Sequence, residues 1–505
     1  MLIHHGLSRS AQARPLHPAL VADGRRHTYA EIDGDSDRLA CHLQRLGLGR
    51  GDRVAVVMDN TAEMVVGLWA ALKAGTIFVP LSHTARPERI AFVLADSGAR
   101  CVVAPASHRL RMAQPLAQAE TVSHVVWGRP GGWGDILARS QAAPRDPGLI
   151  DQDLCAILYT SGTTGHPKGV MMTHRSLAGS VRTIAAFLRA GADDVILCVL
   201  PLASNYGLCQ VLTAAETGAT VVLERSFAYP YEILRNVARH RVTVLPGVPT
   251  IFGTLLHFAP FAGLDLGSLA TMTNSAAPCP PAHLLRLAEL FPRTAIYSMY
   301  GMTECTRTSY LDPARLIAKP ASVGRPVANL EAVVADAGGK RCRPGVVGEL
   351  RVRGSAVMRG YWRRPAETAA VLVDGALPGD PWLRTGDLFR TDEDGDLQFV
   401  GRRDEMFKCR GEKVSPREIE DVLHDCPDVA EAAVVGLPHP VDGMAVTAFV
   451  VPAPGRLPTE RSLRRHCQAR LEAHLVPRSF VLQPSLPKTD TGKVAKAALS
   501  APHET

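Results

Sequence analysis

The chain has 505 residues, of which 46% are hydrophobic and 21% charged, with a formal net charge of +7. That length exceeds one ordinary hydrophobic core and predicts two or more domains, and the apolar content excludes a disordered chain. The charge excess leaves no basic tail, since residues 405–505 carry thirteen Lys/Arg against thirteen Asp/Glu, so nucleic-acid binding is not indicated.

The opening MLIHHGLSRSAQARP lacks the apolar core of a signal peptide. Residues 29–46 read as an amphipathic helix and 53–58 as a buried strand. Segments 62–74, 77–81, 86–95 and 101–104 then alternate helix with strand, a βαβ rhythm. The longest apolar run, 64–81, is interrupted by Lys73 and reads as a buried helix and strand, so no membrane span is expected. After a loop-rich stretch over 129–153, Leu154, Ala156, Ile157 and Leu158 form a short strand, a polar loop follows, and 175–188 has helical periodicity. Segments 195–200, 220–223 and 242–245 are further buried strands, which predicts two doubly wound layers before residue 330. Short strands and turns over 329–400 predict a small β-subdomain. A charged segment follows, then a helix with Ile419, Val422, Leu423 and Cys426 on one face and strands at 429–437 and 445–451. The fold class is therefore α/β: a large N-terminal domain of doubly wound layers with a β-subdomain over 1–403, and a small α+β C-terminal domain over 404–505. Eleven cysteines without a CxxC pair fit a reducing cytosol.

The polar loop lies in YTSGTTGHPKGVMMTH, residues 159–174. Thr160, Ser161, Thr163 and Thr164 supply hydroxyls, Gly162, Gly165 and Gly169 free backbone N–H groups to turn toward one point, and Lys168 adds a positive charge. Amide dipoles, hydroxyls and an ammonium together can replace the water around phosphate oxygens. The order is not that of a Walker loop. By composition alone a solvated surface loop fits equally well. The chain holds nine lysines among 56 basic residues, and five of them, Lys168, Lys408, Lys413, Lys488 and Lys493, fall in glycine-containing stretches. Lysine in an arginine-rich chain suits places that need a compact charge on a flexible stem.

The whole string resembles the phosphate loop of the adenylate-forming superfamily of acyl-CoA synthetases, peptide-synthetase adenylation domains and luciferases. The resemblance extends over residues 29–493 and implies ATP-dependent activation of a carboxylic acid. Two anions must then be brought together, so cations and dipoles have to offset their repulsion. Thr160, Ser161, Gly162, Thr163, Thr164, Gly165 and Lys168 would hold the leaving pyrophosphate. In Tyr300, Gly301, Met302, Thr303, Glu304, the tyrosine would lie near adenine, Thr303 would donate to phosphate, and Glu304 would ligate Mg²⁺, which prefers hard oxygens. Asp387 in RTGDL would grip both ribose hydroxyls, with Arg402 in support. Lys493 in PKTDTGK would bridge carboxylate and α-phosphate in the transition state. Asp404 matches the hinge about which the small domain rotates, and Lys408 and Gly411 the face it then presents to a pantetheine thiol. The stretch 348–362, GELRVRGSAVMRGYW, is read as structural.

Two stretches depart from the family pattern. In PLASNYGL, residues 201–208, Ser204 stands in the usual histidine place, and Asn205 where some amino-acid-activating relatives carry a carboxylate. An α-amino acid is disfavoured, because its buried ammonium would lack an anion. In NSAAP, residues 274–278, Ser275 and Ala276 stand where relatives have glycines, beside Ala277 in the nucleotide site, and a narrowed site would favour thiol transfer over adenylation. The acyl pocket is expected from Asn205, Tyr206, Gly207, Leu208, Gly247, Val248, Ser275, Met299, Gly301 and Met302, apolar and with small members, suited to a bulky neutral acid. The expected function is that of a cytoplasmic acyl-CoA ligase using ATP, Mg²⁺ and CoA through an acyl-adenylate. The motif MYGMTECTRTSYL also resembles ligases of natural-product pathways. Loading of an acyl carrier protein, and a non-catalytic ligand binder on the same fold, are the alternatives.

Overall fold

The computed structural model describes residues 2–128, 133–139, 143–160, 167–258, 261, 263–375, 377–409, 412–439, 443–489 and 493–499. Valine- and alanine-rich runs form the parallel strands, because β-branched residues suit a pleated surface covered on both faces. The first sheet has six strands in the order His124–Gly128, Cys101–Pro105, Arg53–Met58, Ile77–Ser82, Leu154–Thr160, Lys168–Thr173, parallel except for the last pair. The parallel part of the second runs Ala295–Tyr300, Thr271–Asn274, Val244–Gly247, Val195–Cys198, Thr220–Leu223, Pro18–Ala22.

The helices Tyr29–Arg45, Ala62–Lys73, His174–Leu188 and Asn205–Thr217 lie in one core with strands of both sheets, including Val54, Phe78 and Leu158 from the first and Leu20, Ile196 and Cys198 from the second. Fully burying one such side chain contributes roughly 1.5–3 kcal/mol. Threonine caps start three of these helices, and Thr61 accepts from the Met64 N–H at the start of Ala62–Lys73. Thr28 accepts from the Glu31 N–H while the Glu31 carboxylate accepts from the Thr28 N–H, and Thr173 pairs with Ser176 in the same reciprocal way. The outer faces are covered separately, by Ile90, Val93 and Leu94 on the first sheet and by Ile233, Phe252, Leu284 and Leu287 on the second.

Two expectations are corrected, and the expected β-subdomain is present as an extension of the second sheet. The stretch expected to be loop-rich over 129–153 contains the helix Gly134–Arg139. Its neighbour Trp133 is 3% exposed and packs into the shared core. The polar loop does not lead directly into a helix: Lys168–Thr173 forms a strand antiparallel to Leu154–Thr160. Val170 and Met172 are both fully buried while Met171 is half-buried, the alternation of a strand. Strands Ser309–Tyr310 and Ser322–Pro326 hydrogen-bond the β-subdomain onto the edge of the second parallel sheet through antiparallel pairs. Gly324 makes this join possible, since at φ +68° a Cβ would stand 1.9 Å from the Tyr310 carbonyl oxygen.

A third sheet is built from Glu412–Val414, Phe407–Cys409, Gly443–Pro452, Val429–His439 and Ser479–Leu482. Ile419 and Leu423 of the helix Pro416–His424 and Leu463 of Glu460–Gln468 pack on Val434, Val446 and Val450. The fold is α/β, with a large N-terminal domain and a smaller α+β C-terminal domain. The two meet where Arg417 donates to the carbonyls of Pro278 and Cys279 at 3.2 and 3.1 Å. Among the described residues, no helix is long and apolar enough to cross a membrane.

Candidate active site

The antiparallel hairpin of the first sheet ends at Thr160 and Lys168, which face each other in register. Ser161, Gly162, Thr163, Thr164 and Gly165 lie outside the described residues. Gly169 serves packing rather than ligand approach: a Cβ would stand 2.7 Å from Ile157 Cγ2, and its carbonyl accepts from the Trp362 N–H at 2.7 Å. The Lys168 ammonium lies over the Tyr361 ring, 5.3 Å from its centroid. The Tyr361 hydroxyl donates to Glu304 Oε1 at 2.8 Å. The stretch 348–362, read as structural, therefore delivers an aromatic side chain between two of the expected site residues. Its position after Gly360 in GYW was the available signal.

Glu304 lies in the short turn Thr303–Cys305 just beyond the strand Ala295–Tyr300, and is 8% exposed. The Met358 N–H holds its backbone carbonyl at 2.7 Å. Its second carboxylate oxygen has no hydrogen-bond partner among the described residues. One free hard oxygen suits Mg²⁺, which takes a carboxylate or two and fills its shell with phosphate and water.

At the end of the same strand, the Tyr300 hydroxyl donates to Asp387 Oδ2 at 2.6 Å and lies 3.9 Å from Met302 Sδ. Asp387 belongs to the strand Trp382–Thr391. It sits opposite Arg402 of Leu397–Arg402, where a register shift lets Thr385 Oγ1 accept from the Asp387 N–H at 3.1 Å. Only 5% exposed, its carboxyl is pushed up to about 6 by burial, against the opposing pull of Arg402. Arg402 stands 3.3 Å from Asp387 Oδ1, out of line for a hydrogen bond, and donates to Asp404 Oδ1 at 3.0 Å. Oδ1 of Asp387 is thus a buried acceptor with no hydrogen-bond donor among the described residues.

The C-terminal domain completes the group. The Thr489 N–H donates to the Lys493 carbonyl at 2.7 Å, and the Lys493 N–H returns to Thr489 Oγ1 at 3.2 Å. The Lys493 residue keeps solvent access, with protein crowded around its ammonium. Withdrawal from bulk water and the charge of Arg402 lower its pKa, while Asp387, Glu304 and Glu405 pull it the other way. Lys408 lies on the strand Phe407–Cys409 opposite Lys413, and Gly411 is outside the described residues. Lys488, grouped with the motif lysines by its position, is held by Glu431 at 2.9 Å.

The expected acyl pocket differs from its reading as apolar. Ser204 caps the helix Asn205–Thr217, accepting from the Gly207 N–H at 3.2 Å. A Cβ on Gly207 would stand 2.2 Å from the Pro201 carbonyl oxygen and one on Gly247 2.7 Å from Phe252, so protein fills the room beside both glycines. Leu208, Val248 and Met299 are buried, and the Tyr206 hydroxyl donates to the Thr273 carbonyl at 2.9 Å. Between Tyr206 and Ser275 lies Arg307, which the sequence reading passed over. It is 3% exposed, its guanidinium 4.9 Å from the Tyr206 ring centroid and its Nη1 donating to the Ser275 hydroxyl. Ala276 has φ +72°, the left-handed conformation a glycine would adopt without strain, and the Ala277 carbonyl accepts from Asn274 Nδ2 at 3.3 Å. A cavity of about 280 Å³ opens nearby, between Val248, Ile251, Pro201, Ala203, His83 and Arg225.

Residues 7–362 match the family described as AMP-binding enzyme, and residues 418–493 the one described as AMP-binding enzyme C-terminal domain. A feruloyl-CoA synthase of Amycolatopsis sp. is 34% identical over 494 residues, covering 97% of this chain and 96% of that one. An anthranilate CoA ligase solved with anthranoyl-AMP has a TM-score of 0.92 at 25% identity, covering 98% of this chain and 96% of that one. ATP-bound MatB from Rhodopseudomonas palustris has a TM-score of 0.89 at 29% identity, covering 98% of both chains. Fold and sequence together define a member of the adenylate-forming superfamily. Within it, the chain belongs to the AMP-binding enzyme family, and it is an AMP-forming acid–thiol ligase.

Proposed function

We propose that the chain is an acyl-CoA ligase that activates a bulky carboxylic acid with an apolar body, using ATP and CoA, through an acyl-adenylate. The carboxylate oxygen attacks the α-phosphorus and the bond to pyrophosphate breaks. The CoA sulfur then attacks the acyl carbonyl and AMP leaves. The observation that carries this reading is Lys493, which the C-terminal domain brings within the field of Glu304 and Asp387 of the large domain.

In this reading Thr160, Lys168 and the loop between them hold the leaving pyrophosphate, with Thr303 donating to the phosphates. The Tyr300 ring lies against adenine. Asp387, with a buried acceptor that lacks a hydrogen-bond donor among the described residues, takes the ribose hydroxyls. Glu304 would hold Mg²⁺, which when bound neutralises phosphate charge, and Tyr361 orients the carboxylate through its hydrogen bond. Lys493 contributes most as charge builds between the reacting oxygens, so it acts on the transition state more than on either substrate. The chain from residue 404 then turns about Asp404 to bring Lys408 and Gly411 to the thiol, a rotation that a few backbone angles can absorb. Eleven free cysteines, most of them buried, suit a reducing compartment such as the cytosol.

Substituting Lys493→Ala tests the reading. Acid-dependent pyrophosphate exchange is expected to fall by about 10²–10⁴-fold, as for other electrostatic stabilisers. CoA thioester formation from supplied acyl-AMP should stay within a few-fold of the unsubstituted protein. Undiminished exchange would exclude this role for Lys493.

A further inference from the structure

We infer that the acid this enzyme activates carries a second carboxylate, remote from the one that reacts, and that Arg307 selects it. The inference rests on the ligase reading and names the substrate class of that site.

Arg307 is 3% exposed, and no carboxylate lies within ion-pair distance of it among the described residues. Its one hydrogen bond there is from Nη1 to the neutral Ser275 hydroxyl, and Nε has no acceptor. Two other sheltered cations show the usual matching, whereas the half-buried Arg351 also has an Nε without an acceptor among the described residues. Lys73, 5% exposed, holds Asp33 and Asp37, each at 2.7 Å, and Arg384 lies 3.0 Å from Glu349. A guanidinium cannot shed its proton, so burial without an anion is costly, and a hydroxyl and an aromatic face recover only part of that cost. The missing anion is one a ligand can supply. A planar fork with Nε free fits the two oxygens of a carboxylate better than any neutral group.

The position is right for a remote group. Arg307 stands over the Tyr206 ring and bonds Ser275, beside the helix start at Asn205, whereas Glu304 and Asp387 are bonded by Tyr361 and Tyr300. Asn205 adds no negative charge to compete. Backbone strain flanks the contact on both sides: Thr306, β-branched, has φ +47°, and Ala276 has φ +72°. Such conformations persist where surrounding structure holds a functional group in place.

The test uses the full-length enzyme with matched acids: octanoate against octanedioate, and cyclohexanecarboxylate against its 1,4-dicarboxylate. Mass spectrometry of CoA thioesters and pyrophosphate exchange give kcat/KM for each. The diacids are expected to be favoured by about a hundredfold or more, since a site built to bond a polar group discriminates strongly against ligands lacking it. Arg307→Met should abolish the preference, raising the neutral acids relative to the diacids with KM for ATP unchanged. A preference for the neutral acids, or an equal loss on both kinds in Arg307→Met, overturns the inference. If the substituted protein does not fold, thermal shifts of the unsubstituted enzyme decide: stabilisation by octanedioate beyond that by octanoate supports it, and equal shifts refute it. If the unsubstituted enzyme converts no acid of either kind yet binds ATP, the ligase reading itself falls and takes this inference with it.

Discussion

Asp387 shows how one buried carboxyl would tie the proposed nucleotide site to pH. Its pKa in the fold, about 6 against an ordinary 3.8, means that the folded chain binds the proton more tightly than the unfolded one. The stability this group contributes is therefore fully present at low pH and is lost as pH rises through about 6. Binding has the opposite sense, because accepting two ribose hydroxyls requires the ionised form. KM for ATP is expected to rise several-fold as pH falls from 7 to 5, while Asp387→Asn shows a weaker but pH-independent affinity. Tyr300→Phe removes a hydrogen bond that favours the carboxylate, so the inflection should move to higher pH. A flat profile in the unsubstituted enzyme would rule out this contact. The residues of this group were legible in the sequence because each sits in a distinctive string: Tyr300 and Glu304 in YGMTE, Asp387 in RTGDL, Lys493 in PKTDTGK. Tyr361 and Arg307 were not, since their importance lies in what they touch across the fold.

The hairpin that ends at Thr160 and Lys168 depends on how closely its two strands can lie. Gly169 faces Ile157, Tyr159 and Trp362, and an added methyl would meet the first at 2.7 Å. Gly169→Ala is expected to destabilise the chain by about 1–3 kcal/mol, as overpacking of a filled core does. Denaturant titration measures this, and a change within experimental error would show that the strands can shift apart. The parallel strands, with their runs of valine, were plain in the sequence. The strand Lys168–Thr173 was masked because KGVMMT follows a glycine- and threonine-rich loop, and its alternation shows only against the partner strand. The join between the β-subdomain and the second sheet was likewise hidden, since it depends on a close approach at Gly324 rather than on any local pattern.

Between the two domains, the contact that presents Lys493 rests on few groups. Arg417 holds two carbonyls of the large domain and the half-buried Asp421, and within the small domain Lys496 pairs with Glu420 at 2.8 Å and Glu405 at 3.2 Å. Hydrogen bonds from a charged group contribute about 1.5–3 kcal/mol each before the exposed alternative is counted. Arg417→Ala is therefore expected to lower the population of this arrangement and slow pyrophosphate exchange about tenfold, with thioester formation from supplied acyl-AMP little changed and Arg417→Lys intermediate. An equal loss in both half-reactions would mean that Arg417 supports the small domain's own stability instead.

By itself the sequence determined the class of chemistry, the alternation of buried strands with amphipathic helices, and the strings in which the proposed site residues lie. These are properties of short segments, set by local composition and periodicity. Only the tertiary structure decided that Tyr361 links Lys168 to Glu304, that Asp387 is buried within a strand, and that a guanidinium with no carboxylate partner among the described residues stands beside Tyr206 and Ser275. Burial and charge matching are relations between residues far apart in the chain, so they come into being only when the chain folds.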